Sequence, residues 1–132
     1  MKIYFTMVLF IFLSGCSTSN PQEEFAVEML TEKLSKNGPS LFCDQPDYAA
    51  CYQISQKRCM LEVSAGSDIC DEKAKNKFPK ITVRNLESYS EYYGACLVME
   101  HAVKYPKEME EIGSCLEEFE FDEEKGFHSL FK

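Results

Sequence analysis

The stretch that decides the fold is CDQPDYAACYQISQKRCMLEVSAGSDIC, residues 43–70. It holds four of the chain's seven cysteines, and its apolar residues recur at the three- and four-residue spacing of helices. The one β-like run of the chain lies outside it, at residues 80–85, and a lone strand would have no partner to pair with. The stretch therefore predicts an all-α fold in which cysteines tie helices together.

Working outward from that stretch, apolar stripes and helix-breaking residues predict about five helices. The second helix is expected to start at Asp47 and to end before Gly66. The buried face of the first helix is expected to consist of Phe25, Ala26, Met29, Leu30 and Leu34. The expected bounds of the other helices are residues 21–37, 67–78, 86–105 and 107–119. Residues 80–85 form an extended connector. The aromatic tail after residue 119 either folds back onto the bundle or stays exposed, and we expect it to fold back.

The N-terminal segment differs from the rest of the chain. Lys2 precedes an uncharged apolar run, residues 3–13, and small residues follow that run. A helix of eleven residues reaches only about 16 Å, roughly half of a bilayer's hydrocarbon core. We therefore interpret residues 1–15 as a cleaved secretory signal rather than a membrane span.

The end of this run, Leu13-Ser14-Gly15-Cys16, resembles the lipobox of bacterial lipoproteins. The resemblance implies that Cys16 is lipidated and becomes the first residue after cleavage. Residues 16–22 are then a lipidated tether, and residues 23–132 form one disulfide-rich domain. Residue 17 is Ser rather than Asp, which in Gram-negative bacteria implies the outer membrane, with the domain facing the periplasm.

Six cysteines remain after Cys16, and an even number in a short exported domain indicates three disulfides. They are Cys43, Cys51, Cys59, Cys70, Cys96 and Cys115. Placed on one helix, Cys51 and Cys59 would be about 12 Å apart, farther than the 7 Å or so that a disulfide allows. All connectivities without that pair stay open. No Cys-x-x-Cys pair occurs, so we predict no metal site and no cofactor.

The charge of the chain excludes one class of partner. The net charge is −8, and removal of Lys2 with the signal would make it −9. Nine carboxylates lie within residues 108–124, a segment that contains no Lys or Arg. Such a domain repels phosphates, so we predict no nucleic-acid partner. The acidic segment fits either a solvated surface or a face for a basic partner.

Candidate contact residues are aromatic or acidic side chains in the second half of the chain. We select Tyr89, Tyr92, Tyr93, Glu117, Glu118 and Glu120 as a possible partner surface, although tyrosines at this spacing more often belong to a core. The two histidines, His101 and His128, have no accompanying catalytic motif. We expect His101 to interact with the end of its helix, and we predict no catalytic residues.

The sequence favours a non-enzymatic interaction or assembly module of the cell envelope, anchored to the membrane by acyl chains on Cys16. In size and anchoring such a protein is similar to pilotins, and it would carry an apolar groove for a partner helix. One alternative is an inhibitor or immunity protein that binds a basic toxin or a lysozyme-like enzyme. A small hydrolase is the third hypothesis.

Overall fold

The chain is described here by a computed structural model that covers residues 20–132. The predicted signal and Cys16 lie outside the described residues. Within them the fold is all-α, as predicted, but it has six helices instead of about five and contains no strand. These helices are α1 (Pro21–Cys43), α2 (Pro46–Cys51), α3 (Gln56–Lys77), α4 (Leu86–Ala102), α5 (Met109–Glu118) and α6 (Glu123–Leu130).

Helix α1 is longer than predicted at its C-terminal end. It begins at Pro21, as predicted, so it takes up the last two residues of the predicted tether, and the Asn20 side chain caps it by accepting from the Gln22 amide. The predicted stop at Gly38 and Pro39 is wrong, because the helix continues through both residues to Cys43. Both are buried, so contacts with other helices outweigh the local tendency of Gly and Pro to end a helix.

Gly38 is needed where α1 meets α4. A Cβ atom at this position would lie 2.6 Å from Cε1 of Tyr93, whose side chain is fully buried and cannot move aside. We therefore expect Gly38→Ala to destabilise the fold by about 1–3 kcal/mol, the usual cost of overpacking a core. In the matched variant Gly113→Ala, the new Cβ meets nothing within 4 Å. That variant should gain up to about 1 kcal/mol from helix propensity.

Urea denaturation of the two glycine variants checks this pair of expectations. Opposite signs of the change in unfolding free energy are the expected result. Equal effects of the two substitutions would contradict a close approach at Gly38.

The predicted second and third helices are divided differently in the structure. Helix α2 ends at Cys51, and the chain then turns through Gln53, whose φ of 53° is in the left-handed region. Helix α3 starts afresh because the Ser55 hydroxyl accepts from the backbone N–H of Arg58 at 3.2 Å. It then runs through Gly66, which is buried against Glu100 of α4. The predicted break at Gly66 is therefore wrong.

Three disulfides join the helices, as the cysteine count predicts. Cys43–Cys59 links α1 to α3, Cys51–Cys115 links α2 to α5, and Cys70–Cys96 links α3 to α4, with Cα–Cα distances of 5.6–5.7 Å. The exclusion of a Cys51–Cys59 bond is confirmed. The reason given for it is wrong, because these two cysteines lie on different helices.

The C-terminal tail folds back onto α1, as expected, and forms a helix that the sequence pattern did not reveal. The Asp122 side chain caps α6 by accepting from the Lys125 amide. The Asp122 amide donates to Oε1 of Gln45 at 2.9 Å, and Nδ2 of Asn37 donates to the Leu130 carbonyl at 2.7 Å. These contacts fix α6 antiparallel to the second half of α1.

The core lies between α1, α3 and α4, with α2 closing one side. The predicted inward residues of the second helix, including Tyr48 and Val63, are buried. Helix α1 buries Leu34, as predicted, and also Val27, but the predicted core residue Phe25 is 68% exposed. Predicted inward residues that are also exposed are Met29, Val103, Met109 and Cys115.

Candidate functional site

An open groove of about 700 Å³ lies between α1, α4 and the C-terminal segment. Its size is within the range of roughly 300–1,000 Å³ that is typical of ligand sites. Most of its lining is apolar. The larger of these residues are Leu30, Leu34, Leu41 and Phe42 from α1, Leu86 and Val98 from α4, and Phe119, Phe121, Phe127 and Leu130 from the C-terminal segment.

The groove is open because the face of α4 that lines it carries small residues. Ser90, Gly94 and Ala95 form its floor, and the Ser90 hydroxyl already donates to the Leu86 carbonyl at 2.8 Å. A Cβ on Gly94 would lie 3.4 Å from Cζ of Phe42, so small side chains fit there but large ones would fill the groove. The floor therefore offers apolar contact and few polar partners.

The charged residues that line the groove are all acidic. Glu87 and Glu91 lie one turn apart on α4, and Glu123 begins α6 on the other wall. All three are exposed, and none forms a salt bridge within residues 20–132. No Lys or Arg lines the groove. The rim therefore favours positively charged ligands.

A second cluster of chemically interesting groups centres on His101. Its ring is fully buried, with Nδ1 3.0 Å from the Tyr48 hydroxyl and Nε2 3.0 Å from Oε2 of Glu62. The Tyr105 hydroxyl donates to the same carboxylate oxygen at 2.6 Å, and the Tyr52 ring stacks on the imidazole with ring centroids 3.9 Å apart. The expectation that His101 interacts with the end of its own helix is wrong, because its partners come from α2 and α3.

The surroundings of this cluster shift its pKa values. Burial raises the pKa of Glu62, but hydrogen bonds from Tyr105, Arg58 and His101 outweigh burial and hold that pKa at about 2. Burial lowers the pKa of His101, and the hydrogen bond to Glu62 opposes this effect only in part. The network therefore pairs a neutral imidazole, which accepts from Tyr48 and donates to Glu62, with an ionised carboxylate.

These shifts predict that acid weakens the fold in two steps. A neutral buried His101 stabilises the folded state above its unfolded pKa of 6.5, and this contribution falls as the pH drops through the lowered folded pKa. The Glu62 contribution is complete above pH 4.5 and is lost towards pH 2. Urea denaturation of the native chain and of Glu62→Gln from pH 7 to pH 3 would separate the steps.

In Glu62→Gln we expect the decline just below pH 6.5 to remain and the loss below pH 4.5 to become shallower. A parallel pH dependence of the two proteins below pH 4.5 would contradict the role of the Glu62 carboxylate.

The predicted tyrosine surface is wrong in its main part. Tyr89 and Tyr93 are both 0% exposed, because α4 turns this side towards α3 and α1. Tyr92 is half-buried, and Nζ of Lys77 lies 4.8 Å from its ring centroid. None of the three tyrosines lines the groove. They serve the core, and an exposed contact surface has to be sought elsewhere.

The predicted acidic contact residues Glu117, Glu118 and Glu120 are exposed at the end of α5 and just beyond it. None of the carboxylates between Glu108 and Glu120 forms a salt bridge within the described part of the chain. This segment is thus a second acidic surface, distinct from the rim of the groove. Its role as a contact surface stays a prediction.

An apolar groove was expected of an interaction module, but its position and lining were not predicted, although Leu30, Leu34 and Leu86 were placed on inward helix faces. Phe121 and Phe127 reach the groove only because the tail folds back, and the small residues of α4 carry no signal by themselves. The six cysteines predicted to form disulfides are paired, whereas Cys16, the predicted lipidation site, lies outside the described residues.

Two further properties concern residues 20–132 alone. None of the helices in this part is long and apolar enough to cross a membrane. In the same part, no group of three or more His, Cys, Asp or Glu side chains is arranged to hold a metal ion.

Both ring nitrogens of His101 are occupied by hydrogen bonds inside the core, so this histidine offers no nitrogen to a substrate. The absence of enzymatic activity and the hydrolase alternative both stay predictions.

The fold and the groove define a small, acidic, disulfide-bonded helical domain. No protein family, curated protein or solved structure matches the chain.

Proposed function

We propose that this protein is a lipoprotein of the outer membrane, facing the periplasm, that acts as a non-enzymatic interaction or assembly module. In this proposal the acyl chains on Cys16 hold the domain at the membrane, and the groove binds a helix of another envelope protein. The lipobox-like Leu13-Ser14-Gly15-Cys16 supports the anchor, and the three disulfides fit an oxidising compartment.

The groove is the observation that carries the interaction function. Contiguous exposed apolar surface is uncommon on a monomeric soluble domain and usually marks a binding site. Here the groove is bordered by Phe127, which is 62% exposed, and by leucines of three helices. A partner helix that filled it would remove this surface from water, at about 25 cal/mol for each Å² buried.

The exposed carboxylates of α5 support a second candidate function. Glu108, which precedes α5, and Glu110, Glu111, Glu117 and Glu118 within it are exposed, and none of them forms a salt bridge in the described residues. An inhibitor of a basic toxin or a lysozyme-like enzyme would use such a surface, because complementary charge accelerates association. Its binding would depend on salt and on these glutamates, and filling the groove would not change its affinity.

Affinity capture from crosslinked cells tests the proposal. The native lipidated chain would be compared with Cys16→Ala, with Gly94→Leu, which fills the groove, and with Gly113→Leu as a control on the open surface of α5. We expect one stoichiometric envelope partner with the native chain and the control, and its loss with Gly94→Leu. Cys16→Ala should in addition lose membrane association and incorporation of labelled palmitate.

Two results would overturn the proposal. Cys16→Ala that still takes up palmitate and stays in the membrane fraction would remove the anchor. A partner that is retained by Gly94→Leu but lost on neutralising Glu110 and Glu111 would favour the inhibitor.

A further inference from the structure

The groove combines apolar walls with an acidic rim, and this combination restricts what can occupy it. We propose that the occupant is an amphipathic helix whose apolar stripe fills the groove and whose Lys or Arg side chains face Glu87, Glu91 and Glu123. The inference rests on the proposed interaction function and names the chemistry of the partner for that same groove.

The lack of polar groups in the groove favours a helix over an extended segment. A helix satisfies its own backbone hydrogen bonds, whereas an extended segment would press unpaired N–H and C=O groups against apolar walls. The groove offers such groups few hydrogen-bond partners, because its walls are mainly leucines and phenylalanines and the Ser90 hydroxyl already donates to the Leu86 carbonyl. Helix-in-groove recognition requires only apolar side chains at the i, i+3, i+4 and i+7 positions.

The positions of the three glutamates favour basic residues on both sides of the apolar stripe. Glu87 and Glu91 are one helical turn apart, so cations spaced one turn apart on the partner could meet both. Glu123 lies at the start of α6, on the wall formed by the tail. Since none of these carboxylates has a cation within the described residues, the partner would supply the missing charge.

The acidic rim also argues against a fatty acid or an anionic lipid as the natural occupant. An acyl chain could fill an apolar volume of about 700 Å³, but its carboxylate or phosphate would lie near Glu87 and Glu91. Like charges in that position oppose binding. A lipid is therefore the competing outcome that the experiment must be able to detect.

A peptide-binding measurement tests the inference. The lipidated full-length protein would be held in phosphatidylcholine nanodiscs, and a labelled amphipathic Leu–Lys helix would be titrated against it by fluorescence anisotropy. Empty nanodiscs correct for binding to lipid. We expect saturable binding that weakens with salt. The matching Leu–Glu helix should bind with an affinity at least about tenfold lower, because it loses the ion pairs with the glutamates of the rim and its own carboxylates are repelled by them.

Two variants locate the site on the groove. Gly94→Leu fills the floor, and Glu87→Gln/Glu91→Gln removes rim charge without a change of volume, so the second variant remains informative if the first folds poorly. Gly94→Leu should weaken binding of the Leu–Lys helix by about tenfold or more, and the glutamine pair should weaken it by about two- to thirtyfold. The matched control is Glu24→Gln/Glu28→Gln, an exposed pair at the same spacing on α1 that does not line the groove, and it should bind like the native chain.

Three outcomes would overturn the inference: equal affinity for the Leu–Lys and Leu–Glu helices, equal weakening by the control pair, or displacement of the peptide by a fatty acid at low concentration. These failures differ from a failure of the proposed function. The titration reports only on the groove, whereas palmitate labelling and capture from cells report on the anchor and on the existence of a partner.

Discussion

A Cys51→Ala/Cys115→Ala variant is expected to lose about 4 kcal/mol of unfolding free energy, the largest effect of any disulfide in the chain. The reason is the length of the loop that this bond closes, since its cysteines are 64 residues apart, and the entropy cost of a cross-link to the unfolded chain grows with loop length. Helix α5 also packs mainly against α2, the helix to which this bond joins it.

Urea denaturation under non-reducing conditions measures the global effect, and hydrogen exchange of the α5 amides measures the local one. The control is Cys43→Ala/Cys59→Ala, which opens a loop of 16 residues and should lose about 3 kcal/mol. We expect α5 to lose protection only in the first variant. Unchanged exchange of residues 109–118 in that variant would show that α5 is held by packing rather than by the disulfide.

Replacing His101 with Leu is expected to destabilise the fold by about 3 kcal/mol. The substitution leaves the buried Tyr48 hydroxyl without its partner, which costs about 1–3 kcal/mol, and removes one hydrogen bond from Glu62. It also removes the ring that stacks on Tyr52, a contact worth about 0.5–1.5 kcal/mol. Leucine keeps most of the side-chain volume of histidine, so the loss of the hydrogen bonds and of the stacking accounts for most of the expected destabilisation.

A double-mutant cycle with Tyr48→Phe separates these contributions. Tyr48→Phe alone should cost about 1 kcal/mol, because it removes one hydroxyl while the ring stays packed. Combined with His101→Leu it should add little, since the hydroxyl that lost its partner is then absent. Strictly additive losses in the cycle would contradict a Tyr48–His101 hydrogen bond.

The helical class could be predicted because its signals are local. Apolar residues at helical spacing and six cysteines after residue 16 indicate a cross-linked helical domain without reference to any distant contact. The helix ends could not be predicted in the same way. Gly38, Pro39 and Gly66 end helices in isolation, yet all three lie inside helices here because they are buried against neighbouring helices.

The candidate site depends on distant parts of the chain, so the sequence could supply only its pieces. Leu34 of α1 and Leu130 of the tail line one groove, although 96 positions separate them in the sequence. The same holds for His101, whose partners Tyr48 and Glu62 are 53 and 39 positions away. In both cases the residue types are ordinary, and only the packing of helices gives them a shared environment.

The start of α1 at Pro21 has a consequence for where a partner can be met. Five peptide steps separate Cys16 from Pro21, which is an extended reach of about 17 Å, and the 23 residues of α1 add at most about 35 Å. A domain anchored at Cys16 would thus stay within a thin layer next to one membrane and could not reach across the envelope. Its partner would have to present its basic helix close to that same lipid surface, where confinement raises the local concentration of both proteins.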